Sequence, residues 1–166
     1  MCVSDCLVHH LALSFARGHY YSPTMAHYLF NFSGHRDAAA TLLRAKMWGI
    51  GSDERHRDAL ARGDLILIYL AAPERAFVGR AELASAARVW MPSEDYPGDS
   101  PSGVLLSHVE EWDPSVPMDP VVARIDPAGV NPYVQANRAG FRAGVVRISS
   151  HEYETVLAVR RETPAT

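Results

Sequence analysis

The run from Leu65 to Ala71, LILIYLA, is apolar at every position and constrains the fold more than any other stretch. It is far too short for the ~20 residues that a membrane-spanning helix needs. It does not alternate between apolar and polar, so it predicts a central strand covered on both faces. Arg62-Gly63-Asp64 turns directly into it, and Pro73-Glu74 turns out of it. Such a strand requires a sheet with a layer on each side.

Just upstream, Trp48 and Gly49 close a predicted helical segment, and Gly51 comes two residues later. A large flat ring in a glycine-flanked loop, with Tyr69 at the end of the apolar strand, can sandwich a planar ligand. The same two rings can equally be core residues, since a single buried aromatic is more often packing than site. From spacing alone both readings stay open.

Around this centre the pattern predicts an α+β domain of about six strands with flanking helices. Met25 begins an alternating segment, AHYLFNF, whose strand runs from Tyr28 to Phe32. Ser33 or Asp37 is placed to cap a helix to about Lys46, and Asp53 to cap a short one over 54–61. A third strand is expected over 76–89, with Gly79 marking a bulge or a close backbone approach. Residues 91–101, MPSEDYPGDSP, read as a loop, and Gly103 to Trp112 as a strand. Pro114, Pro117 and Pro120 limit the next segment to edge structure with a short strand over 121–125. Asn131-Pro132 opens a turn or short helix to 137. Gly144 to Ile148 is the last strand, and Ser149 or Ser150 caps a C-terminal helix with Glu152 in its first turn. The domain is expected over 25–162, with a poorly ordered leader over 1–24 and a tail over 163–166.

At 166 residues one domain can bury roughly two-thirds of its unfolded surface. The net charge of −3 hides a segregation: residues 92–130 hold one arginine against eight acids, while 25–91 carry nine basic and seven acidic groups and 131–166 carry five and three. A protein gripping a long nucleic acid through many phosphates is usually basic overall. Any nucleic-acid contact here is therefore expected to be local. No membrane contact is expected, and with both cysteines, Cys2 and Cys6, in the leader, no disulfide is needed and a cytoplasmic location is the default.

Signals for chemistry are sparse. Cys2 and Cys6 with His9 and His10 hold zinc-compatible groups, but the spacing matches no common finger and no core surrounds them, so neither a metal nor another cofactor is expected. His108, Glu110 and Trp112 share one face of a probable strand, where a solvated face explains them ahead of acid–base chemistry. No nucleophile elbow, phosphate loop or dinucleotide fingerprint occurs. The segment Asn137 to Arg142, NRAGFR, joins amide, guanidinium and aromatic groups in a glycine loop, a set suited to a base and an adjacent phosphate.

Five motifs then occur in order: the strand HYLFNFS, Trp-Gly-Ile after a helix, a Gly-Asp strand ending in Tyr69, a Val-Gly-containing strand from Phe77 to Leu83, and the closing Gly-Val-Val-Arg-Ile-Ser-Ser-His-Glu-Tyr-Glu from Gly144. Together they resemble the EVE domain of the PUA-like superfamily, which also contains the YTH and ASCH domains. The likeness covers about residues 25–160; the acidic middle diverges and the leader has no counterpart. The resemblance implies a PUA-like mixed β pseudo-barrel. It implies non-catalytic recognition of a modified base, of the 5-methylcytosine type or another, in DNA or RNA. The positions it selects are Asn31 and Ser33 at the end of strand one, Trp48 and Gly49 in the loop, Tyr69, and Arg138, Phe141 and Arg142 in the C-terminal pocket wall. Trp48 would stack the base, Asn31 would bond its edge, and Arg138 and Arg142 would meet phosphates. A partner protein supplying an effector activity fits a module that binds weakly alone. The alternative is an ASCH-like enzyme that cleaves RNA or hydrolyses a small amide, using His108, Glu110 and Lys46.

Overall fold

The computed structural model describes residues 25–130 and 144–163. The leader with its Cys/His group, the turn expected over 131–137, and the pocket-wall residues Arg138, Phe141 and Arg142 lie outside the described residues.

A mixed sheet is built in chain order from β1 (His27–Phe32), β2 (Met47–Gly49), β3 (Leu65–Leu70), β4 (Ala76–Leu83), β5 (Arg88–Val89), β6 (Ser102–Pro117) and β7 (Val145–Ile148). Six of these lie side by side in the order β2-β6-β4-β3-β1-β7, and the two-residue β5 pairs with β6. Among the described strands only β1 and β3 run parallel, His27 opposite Leu65 through Phe32 opposite Leu70. The sheet curls into a half-barrel.

β3 is central and covered on both faces, as its sequence predicts. Ile66, Ile68 and Leu70 point into one core with Tyr28, Phe30, Trp48 and Leu83. Helix α1 (Arg36–Ala45) covers that core with Ala39, Leu42 and Leu43. Leu67 and Tyr69 point the other way, into a second core with Leu29, Phe77 and Trp112. Helices α2 (Met118–Ile125) and α3 (Ser150–Glu162) close that one through Met118, Val121, Val122, Tyr153, Val156 and Val159.

Several local expectations are corrected. Neither Ser33 nor Asp37 caps α1: its N-cap is His35, without a side-chain cap. Trp48 and Gly49 do not close that helix. It ends at Ala45, Lys46 takes a left-handed cap (φ 56°), and Met47–Gly49 runs extended against Leu105–Gly103 of β6. The helix expected over 54–61 shrinks to a 3-10 turn, Arg57–Ala59, because the Arg57 guanidinium is drawn back to the carbonyls of Ile50 and Gly51 and to the Ser102 hydroxyl. The third strand stops at Leu83, where the Ser85 hydroxyl takes over the Leu105 N–H. β6 continues to Pro117 instead of ending at Trp112. Residues 118–125 form a helix, not an edge strand; Pro120 falls in its first turn, where backbone N–H groups have no partner to lose. Ser149 caps α3 in a full capping box with Glu152, as expected.

Gly79 is a close approach. The β4–β6 register shifts beside it, and a Cβ there would lie 2.5 Å from the Glu110 backbone oxygen. Gly79→Ala should therefore destabilise the domain by about 2 kcal/mol as overpacking. A thermal melt should show a drop of at least about 4 °C; an unchanged midpoint would mean that the strands do not approach this closely.

Candidate functional site

The alternation of β1 decides which of the sequence-selected residues meet. Tyr28, Phe30 and Phe32 face the first core and Leu29 the second, so Asn31 lies on the second face, in register with Tyr69. Trp48 is on the first face. It is 4% exposed, with the Phe30 ring centroid at 6.2 Å and the Phe32 ring edge-on at 5.5 Å. The structure thus joins Trp48 and Gly49 to Phe32, and it places Tyr69 across the sheet from them. There Tyr69 packs edge-on against Phe77 at 5.3 Å, and burial raises its phenol pKa. Ser33 is exposed just past the strand end.

The rest of the rim around Trp48 comes from residues 88–103. Gly103 pairs with Gly49 in the β2–β6 ladder, and a Cβ on Gly103 would collide with the Trp48 carbonyl and the Trp90 ring. β6 can pass flush against both tryptophans only because that position has no side chain. Trp90 stacks on Tyr96, centroids 5.0 Å apart and planes 24° apart. Desolvation raises the Tyr96 phenol pKa, and a hydrogen bond from the Gly49 backbone pulls the other way. The Arg88 guanidinium lies 5.6 Å over the Trp90 ring and grips Glu94 through two hydrogen bonds. Glu94 also accepts the Met91 N–H at 2.8 Å. The proline- and glycine-rich loop is therefore a built wall carrying Trp90 and Tyr96.

Two buried side-chain polar atoms among the described residues have no hydrogen-bond partner: Asn31 Oδ1 and Trp90 Nε1. Each such atom costs about 1–3 kcal/mol when left unpaired. The Asn31 backbone is satisfied, its N–H donating to Gly144 O at 2.7 Å. Asn31 Oδ1 lies on the Tyr69 face, whereas the aromatic floor, the glycine-lined backbone and the unpaired Trp90 Nε1 lie together and are elements of a planar-ligand site.

The groups selected for acid–base chemistry are arranged differently. Glu110 accepts from Arg80 Nε at 2.7 Å and from the Trp112 indole at 2.8 Å. His108, with a positive φ of 47°, turns instead to Glu82, Nδ1 to carboxylate 3.2 Å. This pair borders a cleft of ≈260 Å³ that Arg80 and Tyr153 also line. Lys46 is the α1 cap. Among the described residues no group of three or more His, Cys, Asp or Glu is placed to hold a metal ion, and no helix is long and apolar enough to cross a membrane.

Sequence reasoning overlooked Phe32, Tyr96 and the Arg88–Glu94 clamp. The signal was present in part: Trp90 and Tyr96 bracket the acidic loop six residues apart, with an arginine and a glutamate at the same separation. Glu94 shows what the clamp does. The Arg88 hydrogen bond, then the Met91 N–H, hold its pKa down to about 2 against an ordinary 4.5. Its contribution is present above the ordinary value and is lost as pH falls from there toward about 2. An acid titration of tryptophan fluorescence should show a transition in that window which Glu94→Gln removes; identical curves for both proteins would mean that the clamp does not order the wall.

No protein-family model matches the chain, and no curated protein matches it significantly. Solved structures do. Human THYN1 in complex with 5-methylcytosine-containing DNA is similar over 84% of this chain and 99% of that one, with 15% identity and a TM-score of 0.57. The YTH domain of Zygosaccharomyces rouxii MRB1, in complex with N6-methyladenosine RNA, matches 87% of this chain and 89% of its own, with 13% identity and a TM-score of 0.57. An ASCH protein of Zymomonas mobilis matches 81% and 96%, with 12% identity and a TM-score of 0.51. At these identities the likeness is one of fold, and it agrees with the resemblance read from the sequence: the domain has the PUA-like fold that EVE, YTH and ASCH domains share.

Proposed function

We propose that the chain is a non-catalytic nucleic-acid-binding module that recognises a modified base, 5-methylcytosine or another, in an aromatic pocket at the C-terminal end of β1. One observation carries the reading: Phe32 and Trp48 pack edge to face beside the Gly49 backbone, in a fold of which one solved example holds 5-methylcytosine-containing DNA and another N6-methyladenosine RNA. In this reading a single-stranded or flipped base turns Phe32 aside and stacks on Trp48. Ser33 lines the mouth, Arg138, Phe141 and Arg142 complete the wall and meet the phosphates, and Asn31 lies on the far face. Tyr69 supports the strand from the far face. Extracting a base costs a few kcal/mol, so a single pocket on a chain of net charge −3 binds modestly, and a partner protein supplies further affinity and any effector activity.

The His108–Glu82 pair in its cleft favours a second reading, an RNA- or amide-cleaving enzyme. Turnover of such substrates that His108→Ala abolishes would establish it.

Titration with oligonucleotides carrying 5-methylcytosine or cytosine tests the lead reading. Stacking is worth about 1–3 kcal/mol per base, so Trp48→Phe, which keeps a ring in the core, should cost the modified oligonucleotide about fivefold. Binding should also quench tryptophan fluorescence. Equal affinity for both oligonucleotides, unchanged in Trp48→Phe, would overturn the proposal.

A further inference from the structure

The base-reading proposal uses one end of β1. At the other end a cleft of ≈380 Å³ opens between Met25–Tyr28, the turn before β3 and the β7 strand, and Arg62 and Arg147 line it. Their state differs from that of most arginines here. Arg36, Arg44, Arg75, Arg80, Arg88 and Arg124 each meet a carboxylate, and Arg57 is bonded to two carbonyls and a hydroxyl. Arg62 and Arg147 make no ion pair or side-chain hydrogen bond among the described residues.

The one acid that lines the cleft does not neutralise them by contact. Asp64 is 5% exposed, and its two oxygens accept the backbone N–H groups of Ala26 and Ala61, each at 2.9 Å. It shapes the cleft wall. The Tyr28 hydroxyl donates to Ala59 O at 3.3 Å. Arg147 stands opposite Tyr28 in the β1–β7 ladder, near enough to lower that phenol's pKa against the larger upward push of burial. Two exposed guanidinium groups without carboxylates, on one cleft, form a receptor for a phosphate, whose oxygens match the guanidinium fork.

Position supports the same conclusion. Tyr28, Phe30 and Phe32 share one face of β1, and Arg147 lies beside the first of them. The cleft thus opens at the far end of that strand, four residues at about 3.3 Å each or about 13 Å from Phe32. Because Tyr28 and Phe30 are buried beneath α1, a nucleic-acid chain reaches it only by a longer path over the surface. At 3.4 Å per stacked nucleotide the straight-line distance sets a minimum of about four steps along one strand. We propose that Arg62 and Arg147 together hold a backbone phosphate of the nucleic-acid strand whose base enters the pocket, no nearer than about four nucleotides from that base. This rests on the base-reading proposal, and the contact carries no sequence information itself.

The test uses the full chain, its Arg62→Gln/Arg147→Gln double variant, and single-stranded oligonucleotides with one 5-methylcytosine and flanks of one to eight nucleotides. Wild-type affinity should step up about tenfold at one flank length between about four and eight nucleotides, as for a charge-assisted bond. The double variant should lack the step, and its log K against log salt slope should be shallower by about 0.7, the value for one single-strand phosphate. Its preference for the modified base and its binding of free 5-methyldeoxycytidine should be unchanged. A step that survives in the double variant, or no step in wild type while nucleoside binding persists, would overturn this inference and leave the base reading standing. An arginine-dependent step with no preference for the modified base would uphold the phosphate contact and defeat the base reading.

Discussion

The parallel pairing of β1 with β3 governs the rest of the structure. β3 sends Ile66, Ile68 and Leu70 to one side and Leu67 and Tyr69 to the other, so neither face of the sheet can be left open to water. A parallel neighbour requires a crossover, and the chain between β1 and β3 supplies α1, which covers the first face. The second face waits for α2 and α3 from the C-terminal half. Two cores therefore share one strand. Fully burying a large apolar side chain stabilises by about 1.5–3 kcal/mol, and β3 contributes such side chains to both cores at once.

This arrangement also fixes where a site can form. Both parallel strands end together, Phe32 opposite Leu70, and there the cover thins: Ser33 and Gly34 are exposed while Trp48 beneath Phe32 is not. The wall facing them is a loop that its composition would leave mobile. The Arg88–Glu94 clamp, the Trp90–Tyr96 stack and the side-chain-free Gly103 give it a single arrangement instead. Groups held by a second layer of contacts are what recognition of a rigid planar ligand requires.

The sequence made the central strand, the bulged approach at Gly79 and the capping box at Ser149 legible, because each rests on a local rule: apolar run, missing side chain, serine three residues before glutamate. It was less informative wherever a distant partner decides. Residues 118–125 carry the prolines of an edge strand, but Met118, Val121 and Val122 gain a core by coiling against α3. Met47–Gly49 looks like a helix end until β6 offers it a ladder. At the site, the Trp48–Gly49 motif was visible and its partner Phe32 was not, since the face that a strand residue takes depends on which core its neighbours fill. The pairing of Trp48 with Tyr69 failed for the same reason: nearness in sequence pattern does not say which side of a sheet a ring occupies.

Charge shows how a protein of net charge −3 can meet an anion. The acidic segment 92–130 would by itself repel nucleic acid, yet Glu94, Glu110, Glu111, Asp113 and Asp119 are each matched by an arginine from the first half of the domain: Arg88, Arg80, Arg44, Arg36 and Arg75. Exposed pairs of this kind add little stability, but they cancel the segment's field at short range. What the pairing leaves over matters more than the total. Among the arginines left over, Arg62 and Arg147 share one cleft. Screening confines each charge to about 10 Å at ordinary salt, so a phosphate entering that cleft would meet these two arginines before it met the net charge of the molecule.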